Sequence, residues 1–420
     1  MNLSLLLKLT FKSILNRRFT SCLTLFSICI SVFLLLGVDT VRKEAKHSFT
    51  NTISGTDLLV GARSGSVQLL LYSVFRIGNA TNNIGWDSYE KISSHRSVAW
   101  SIPISLGDSH KDFRVMGTTQ AYFEHYRFAN DQALAFKAGK PFSAVYDTVI
   151  GVEVAEKLGH QLGDELTLAH GVYDTDFARH DDKPFLLTGI LERTGTPVDR
   201  TIHVSLQGIE ALHIDWKTGT RSRDTVSAQQ ALVSDLQPTQ ITAFMLGLNS
   251  KMEIFRVQRA INSYKREPML AVLPGLALGE LWQLIGVAEK ALLIIAVFVL
   301  LNSFVGLLTV ILTSLNERRR EIAILRSLGC RPNQIFILLA SESLLFAIVG
   351  CFFGVFLFLA VIVLSQSVLQ GYGLHIPLSS FGFEQLVLIA VVICVSFLIG
   401  SIPGYRAYKQ SLADGMSIKL

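Results

Sequence analysis

Cysteine is scarce and unevenly placed. There are five in 420 residues, four of them (Cys22, Cys29, Cys351, Cys394) inside apolar runs and the fifth, Cys330, in a basic stretch. None lies between 42 and 285, which excludes a disulfide framework and a cysteine-based zinc site from that segment. Charge is also sparse, at 17% against 50% hydrophobic residues. Such a chain is too apolar for an ordinary soluble protein and too poor in charge for a disordered one. No G-x-x-x-x-G-K-[ST] phosphate loop, G-x-S-x-G elbow or glycine-rich dinucleotide fingerprint occurs. The chain is therefore expected not to be an enzyme and not to hydrolyse ATP on its own.

What the sequence does contain is four long runs without Asp, Glu, Lys or Arg, or nearly so. A bilayer core needs about 20 apolar residues in a helix. Phe19 to Val38, about Val287 to Leu315, about Gln334 to Leu364 and about Leu386 to Tyr405 meet that need, the third with Glu342 as its single acidic residue. The first run follows Lys8, Lys12, Arg17 and Arg18, as a signal peptide would, but no A-x-A cleavage pattern follows it, so it reads as a retained span. The basic clusters orient the chain. Residues 1–18 carry four basic and no acidic side chains, 316–333 five and two, and 406–420 three and one. All three face the cytoplasm in one arrangement. The segment 42–285 holds 25 basic and 26 acidic residues, so the net +5 comes from the remainder. The charge reports topology rather than a nucleic-acid surface.

The expected order is a cytoplasmic amphipathic helix (1–18, with Leu3, Leu7, Phe11 and Ile14 at helical spacing), a first span (19–41), an extracytoplasmic α+β domain (42–285) and a second span (286–315). A cytoplasmic loop (316–333), a third span (334–364), a short outer loop (365–384), a fourth span (385–405) and a cytoplasmic tail (406–420) follow. Within the outer domain, strands are expected around Thr148–Gly151, Leu166–Leu168, Phe185–Ile190, Ile202–Leu206 and Gln240–Leu248. Helices are expected from Asp87, over Val152–Leu158 and over Met252–Tyr264. Val67–Phe75 is apolar enough to be either a core element or an exposed interaction surface.

All ten histidines fall outside the cytoplasmic segments. The stretch with His170, Asp174, Asp176, His180, Asp181 and Asp182 is dense in ligand types, and imidazole with carboxylate can hold zinc or another divalent cation. The spacing matches no specific metal motif, and a solvated polar loop between two strands is the reading the residues favour. Glu342 is costly within a span and fits either a structural hydrogen bond or a substrate path.

The loop Glu317-Arg318-Arg319-Arg320-Glu321-Ile322-Ala323-Ile324-Leu325-Arg326-Ser327-Leu328-Gly329-Cys330-Arg331 is a charged helix with an apolar stripe, ended by Gly329 and Pro332. With Gln334-Ile335 and Glu342-Ser343, it closely resembles the signature of FtsX-like, MacB-type permeases, the family that includes the lipoprotein-releasing LolC and LolE proteins. Leu15–Phe19 and Pro403–Lys409 resemble its opening and closing patterns. The resemblance implies a type VII ABC transporter permease in a bacterial inner membrane, with four spans and a MacB-like periplasmic domain. It also implies a homodimer or a pairing with a related permease, beside a separate cytoplasmic ATPase that carries ATP and Mg²⁺. Carried over, Glu317, Arg318, Arg319, Arg320, Glu321 and Arg326 contact that ATPase. The motion of the periplasmic domains then acts on a lipoprotein, peptide or other envelope partner. Two alternatives stand beside this reading: a non-transporting subunit that activates a periplasmic hydrolase or sensor, and a component of a zinc-handling ABC system.

Overall fold

A computed structural model describes residues 17–171, 180, 182–215, 226–317, 324, 327, 329–371 and 382–409. The chain divides into two compact units, Met1–Glu44 with Gly286–Leu420, and Ala45–Ile285.

Among the described residues, four helices are long and apolar enough to cross a membrane: Arg18–Glu44, Pro274–Thr313, Pro332–Gln366 and Phe383–Tyr405. The second belongs to a helix of 44 residues, Pro274–Glu317. It opens well before the apolar run, because Pro274 suits a first helical position and the following turns carry polar residues that a hydropathy reading discounts. At 1.5 Å per residue it is about 66 Å long, twice the hydrocarbon core. The spans meet over Ile28, Val32, Leu36, Phe304, Leu307, Ile311, Phe346 and Phe358.

Small residues set the closest approaches, as expected where lipid gives helices no hydrophobic reason to associate. A Cβ on Gly354 would fall 2.8 Å from Val32 Cβ and 2.9 Å from the Cys29 carbonyl, and one on Gly350 2.7 Å from Ile28 Cγ2. Ser31 Oγ lies 2.6 Å from Ser303 Oγ and Ser27 Oγ 2.7 Å from it, a hydroxyl cluster joining the first and second spans. At one end of the bundle, Asp39 accepts from Arg42 (3.2 Å) and Lys43 (2.7 Å), and Arg42 reaches Glu289 at 3.2 Å. Lys43 also pairs with Glu384. Glu342 is buried inside the unit.

The second unit is built on an eleven-stranded sheet. In chain order the strands are β1 (Leu58–Ala62), β2 (Ile84–Gly85), β3 (Val98–His110), β4 (Phe113–Thr118), β5 (Arg127–Phe128), β6 (Gln132–Ala133), β7 (Phe136–Gly139) and β8 (Asp147–Ile150). They continue as β9 (Glu165–Leu166), β10 (Ala169–His170), β11 (Phe185–Leu191), β12 (Thr201–Ser205), β13 (Gln240–Ile241), β14 (Ala243–Leu248) and β15 (Met269–Val272). The sheet runs β15-β1-β14-β3-β4-β12-β8-β11-β7, with β10 on β3 and β9 on β11. The β12–β4 and β11–β8 pairs are parallel and the others antiparallel.

Alternation along the strands sends side chains to two buried faces. Leu59, Ile102, Ile104, Met116 and Met245 join one core. Leu58, Val60, Phe244 and Leu246 enter a second, and Val115, Ile150, Ile202 and Val204 a third. Covered on both sides, β1 and β14 read as near-continuous apolar runs.

The expected strand–helix unit at Thr148–Leu158 forms as β8 and the helix Val152–Leu158, which Gly159 ends in the left-handed region at φ 72°. Of Leu166–Leu168, only Leu166 is in a strand. Val67–Phe75 is a core element: the helix Ser66–Ser73 buries Leu69, Leu70 and Tyr72, and Val74 and Phe75 follow them inward. Its apolar character is spent on the domain's own core.

Candidate functional site

β10 is only two residues long, but its register places His170 directly opposite Asp108 on β3. The Gly171 N–H donates to the Gly107 carbonyl at 2.9 Å and closes that pairing. A third group arrives from the helix Leu206–His213, which follows β12 without a loop. The Ser205 hydroxyl caps its start by accepting from Gly208 N–H at 2.9 Å. The helix rests on β4 where Gly117 has no side chain: a Cβ there would fall 2.6 Å from Ile209 Cγ1. Its last residue is His213.

The far end of that helix is pinned from beneath. Lys183, fully buried, donates from Nζ to the Leu212 carbonyl at 3.3 Å and to Asp215 Oδ1 at 2.7 Å. It thereby meets both a terminal carbonyl of the helix and a carboxylate just beyond it.

These elements bring three donor atoms together. Asp108 Oδ1 lies 3.2 Å from His170 Nδ1 and 3.2 Å from His213 Nε2, and the two imidazole nitrogens are 3.2 Å apart. The Asp108 side chain is 3% exposed, His213 26% and His170 51%. Burial alone would raise the Asp108 carboxyl, but the His213 charge and hydrogen bonds from both imidazoles outweigh it and hold the carboxyl well below the usual range. Burial opposes charge on His213 too, and Asp108 overrides it and raises that imidazole. His180 is buried beside them, its ring 5.7 Å from that of His213. Burial, reinforced by His213, pushes it down to about 4. Two residues along β3, His110 Nε2 meets His160 Nε2 at 3.4 Å. Five of the ten histidines thus gather at this edge of the sheet.

Of the residues marked by sequence as metal ligands, His170 is in the triad, His180 is adjacent to it, and Asp174 and Asp176 lie outside the described residues, as does Asp181. Asp108 and His213 carry no local signal. They are 62 and 43 residues from His170, and only the β3–β10 pairing and the helix on β4 join them. Of the expected ATPase contacts, Glu317 ends the helix Pro274–Glu317. Arg318, Arg319, Arg320, Glu321 and Arg326 lie outside the described residues, as does the amphipathic pattern over Leu3–Ile14.

Comparison with known proteins supplies the family. The MacB-like periplasmic core domain profile matches residues 21–262, and the FtsX-like permease C-terminal profile matches 293–412. The chain belongs to the MacB-like, FtsX-type permease family. It is a multi-pass permease component of the ABC transporter class, with four membrane-spanning helices and a MacB-like periplasmic domain in a bacterial inner membrane.

This permease is 27% identical over 179 residues to the macrolide export ATP-binding/permease protein MacB of Escherichia coli K12, an alignment covering 39% of this chain and 26% of that protein. The MacB of Shigella boydii serotype 4 is 27% identical over 178 residues, 38% of this chain and 26% of the relative. The aligned region thus spans about a quarter of the length of these curated relatives. Among solved structures, the periplasmic region of MacB from Actinobacillus actinomycetemcomitans aligns over 55% of this chain and 94% of its own, at 10% identity and a TM-score of 0.33. The extracellular domain of the noncanonic ABC-type transporter YknZ from Gram-positive bacteria aligns over 52% and 99%, at 12% identity and a TM-score of 0.31.

Proposed function

We propose that this permease converts ATP hydrolysis by a separate cytoplasmic ATPase into movement of its periplasmic domain, working as a dimer on an envelope cargo such as a lipoprotein or peptide. The observation that carries the reading is the pair of family matches, 21–262 and 293–412, which together take in the periplasmic domain and the spans that follow it. The charged segment from Glu317 to Arg331 sits between the second and third spans, where positive-inside charge puts it in the cytoplasm. Its sequence carries arginines and glutamates suited to charge-assisted contacts, with Ile322, Leu325 and Leu328 interleaved among them.

The force then travels along helices rather than through a loop. The second-span helix is about twice as long as the hydrocarbon core, so part of it extends beyond the lipid. Carriage of a cargo through a central channel is not needed in such a device.

The test is copurification. Replacing Arg318, Arg319 and Arg320 together by Glu reverses the charge of the dock and is expected to abolish recovery of the ATPase with the tagged permease. Recovery at the native level would overturn the coupling assignment.

A further inference from the structure

We infer that Asp108, His170 and His213 form a binding site for a divalent transition-metal ion of the zinc class, with an open fourth position. The three donor atoms define a triangle with all edges 3.2 Å. A tetrahedral zinc ion at the usual distances of about 2.0–2.1 Å sets its ligand atoms roughly 3.3–3.4 Å apart. The observed triangle therefore matches one face of that tetrahedron within the tolerance of about 0.2 Å expected of a real site.

Two imidazoles and one carboxylate are a borderline donor set, suited to zinc and its neighbours rather than to magnesium or calcium, which prefer all-oxygen shells. The surroundings favour a cation. His213 is the last residue of its helix, where the partial negative charge of the terminal carbonyls accumulates. Asp108 is buried at the base, whereas the His170 side chain is 51% exposed, so one side of the site opens to solvent. That leaves room for a water or a donor from a cargo as fourth ligand, the arrangement of an accessible site rather than a closed structural one.

The ion would join a sheet edge to a helix. Among the described residues, β10 pairs with β3 through Ala169 and His170, and His213 reaches the site from an element anchored on β4 and β12. The site is independent of the ATPase coupling proposed above, and its test does not involve that partner.

The test uses the full-length permease in detergent, stripped of metal, titrated calorimetrically with Zn²⁺ and spectroscopically with Co²⁺. The expected result is one ion per chain, with the visible bands of a low-coordinate Co²⁺ site, not displaced by millimolar Mg²⁺. His170→Ala and His213→Ala should each weaken Zn²⁺ binding beyond the roughly 10–100-fold that loss of an outer-shell partner costs. The exposed His95→Ala should bind as the native chain does. Because His170 is half exposed, its variant keeps the fold if His213→Ala does not, and circular dichroism checks both. Failure of the native protein to bind Zn²⁺ stoichiometrically would overturn the assignment and leave a hydrogen-bonded cluster. Native-like affinity in His170→Ala would overturn it as well.

Discussion

The two units of this permease dispose of their polar groups in opposite ways. In the membrane unit, the buried polar groups are mainly small hydroxyls that lean on their own helices: Ser31 donates to the Ser27 carbonyl at 2.8 Å and Ser303 to the Val299 carbonyl at 3.2 Å. Among the described residues, its ion pairs gather at one end, around Asp39 and Lys43. In the periplasmic unit, full charges are buried among strands. Lys183 and Asp215 are 0% and 1% exposed. Asp199 is held under a turn by the N–H groups of Thr194 and Gly195, both at 2.8 Å. A bilayer offers no water to relax a misplaced charge, whereas a domain folding in water can bury one if a partner is built in. The membrane unit therefore relies on close packing of small residues, whereas the periplasmic unit, beside its apolar cores, carries buried charges that cannot lose their partners cheaply.

The sharpest way to break this contrast is to remove one partner of the buried pair. Asp215→Ala leaves the Lys183 ammonium uncompensated and should cost about 3–5 kcal/mol. Hydrogen exchange on the full-length protein should show the loss in the strand amides of 98–118 and 185–205, with the spans unchanged. Loss of protection in the spans to the same degree would mean that the units do not differ as described.

Next in size is a packing change in the membrane unit. Gly354→Leu forces a side chain into the space of Val32 and the Cys29 carbonyl, and overpacking of this kind costs about 1–3 kcal/mol. The expected result is a lower thermal midpoint for the detergent-solubilised bundle, followed by exchange in the spans, with the strand amides keeping their protection. An unchanged midpoint would show that the first and third spans do not rely on this crossing.

Protons should also separate the units. His203 lies buried beside Tyr122 and Phe123, with Nδ1 3.3 Å from the Val149 carbonyl. Burial first, and the Arg76 charge second, push it down from 6.5 to about 3. Folded, it stays neutral while the unfolded chain takes a proton below about 6.5. The unfolded state thus binds more protons, and stability falls as pH drops from 6.5 towards 3, by up to about 1.4 kcal/mol per pH unit. Asp199, raised mainly by burial, contributes with the opposite sign, so the comparison must be with His203→Asn. That variant should lose the His203 share of the acid sensitivity between pH 6.5 and 5, read as a shallower slope of urea midpoints, while His180, also pushed down by burial, keeps its own share. Equal slopes would show that another group sets the dependence.

How much of this was legible in the amino-acid order follows from the same physics. The spans were plain, because a bilayer imposes one requirement on some 20 consecutive residues. The second helix's early start at Pro274 was not, since polar residues there are tolerated once the helix leaves the lipid. Some periplasmic strands could be placed from apolar runs such as Phe185–Leu191 and Ala243–Leu248, but β1, β3, β4, β7 and β15 were not among those expected. The strand order could not be placed, because β14 pairs with β1 and β3 across more than a hundred residues of chain. The site divides in the same way. His170 and His180 stood out by local density, but Asp108 is one acid within a strand and His213 one imidazole at a helix end. Only long-range pairing makes them neighbours, and no window on the sequence contains that pairing.

The smallest effect tests whether hydroxyl contacts in the bundle contribute beyond packing. Ser303 meets both Ser27 and Ser31 across the first and second spans. Hydrogen bonds between membrane helices average only about 0.6 kcal/mol, because the separated helices find other partners for the same groups. Ser303→Ala keeps the small side chain and deletes the hydroxyl, so it should lower the thermal midpoint slightly, far less than Gly354→Leu. Ser303→Val, which deletes the hydroxyl and adds bulk, should cost more than Ser303→Ala if close packing matters most in the bundle. If Ser303→Ala is the worse of the two, the membrane unit depends on a polar network after all, and the contrast with the periplasmic unit becomes one of degree.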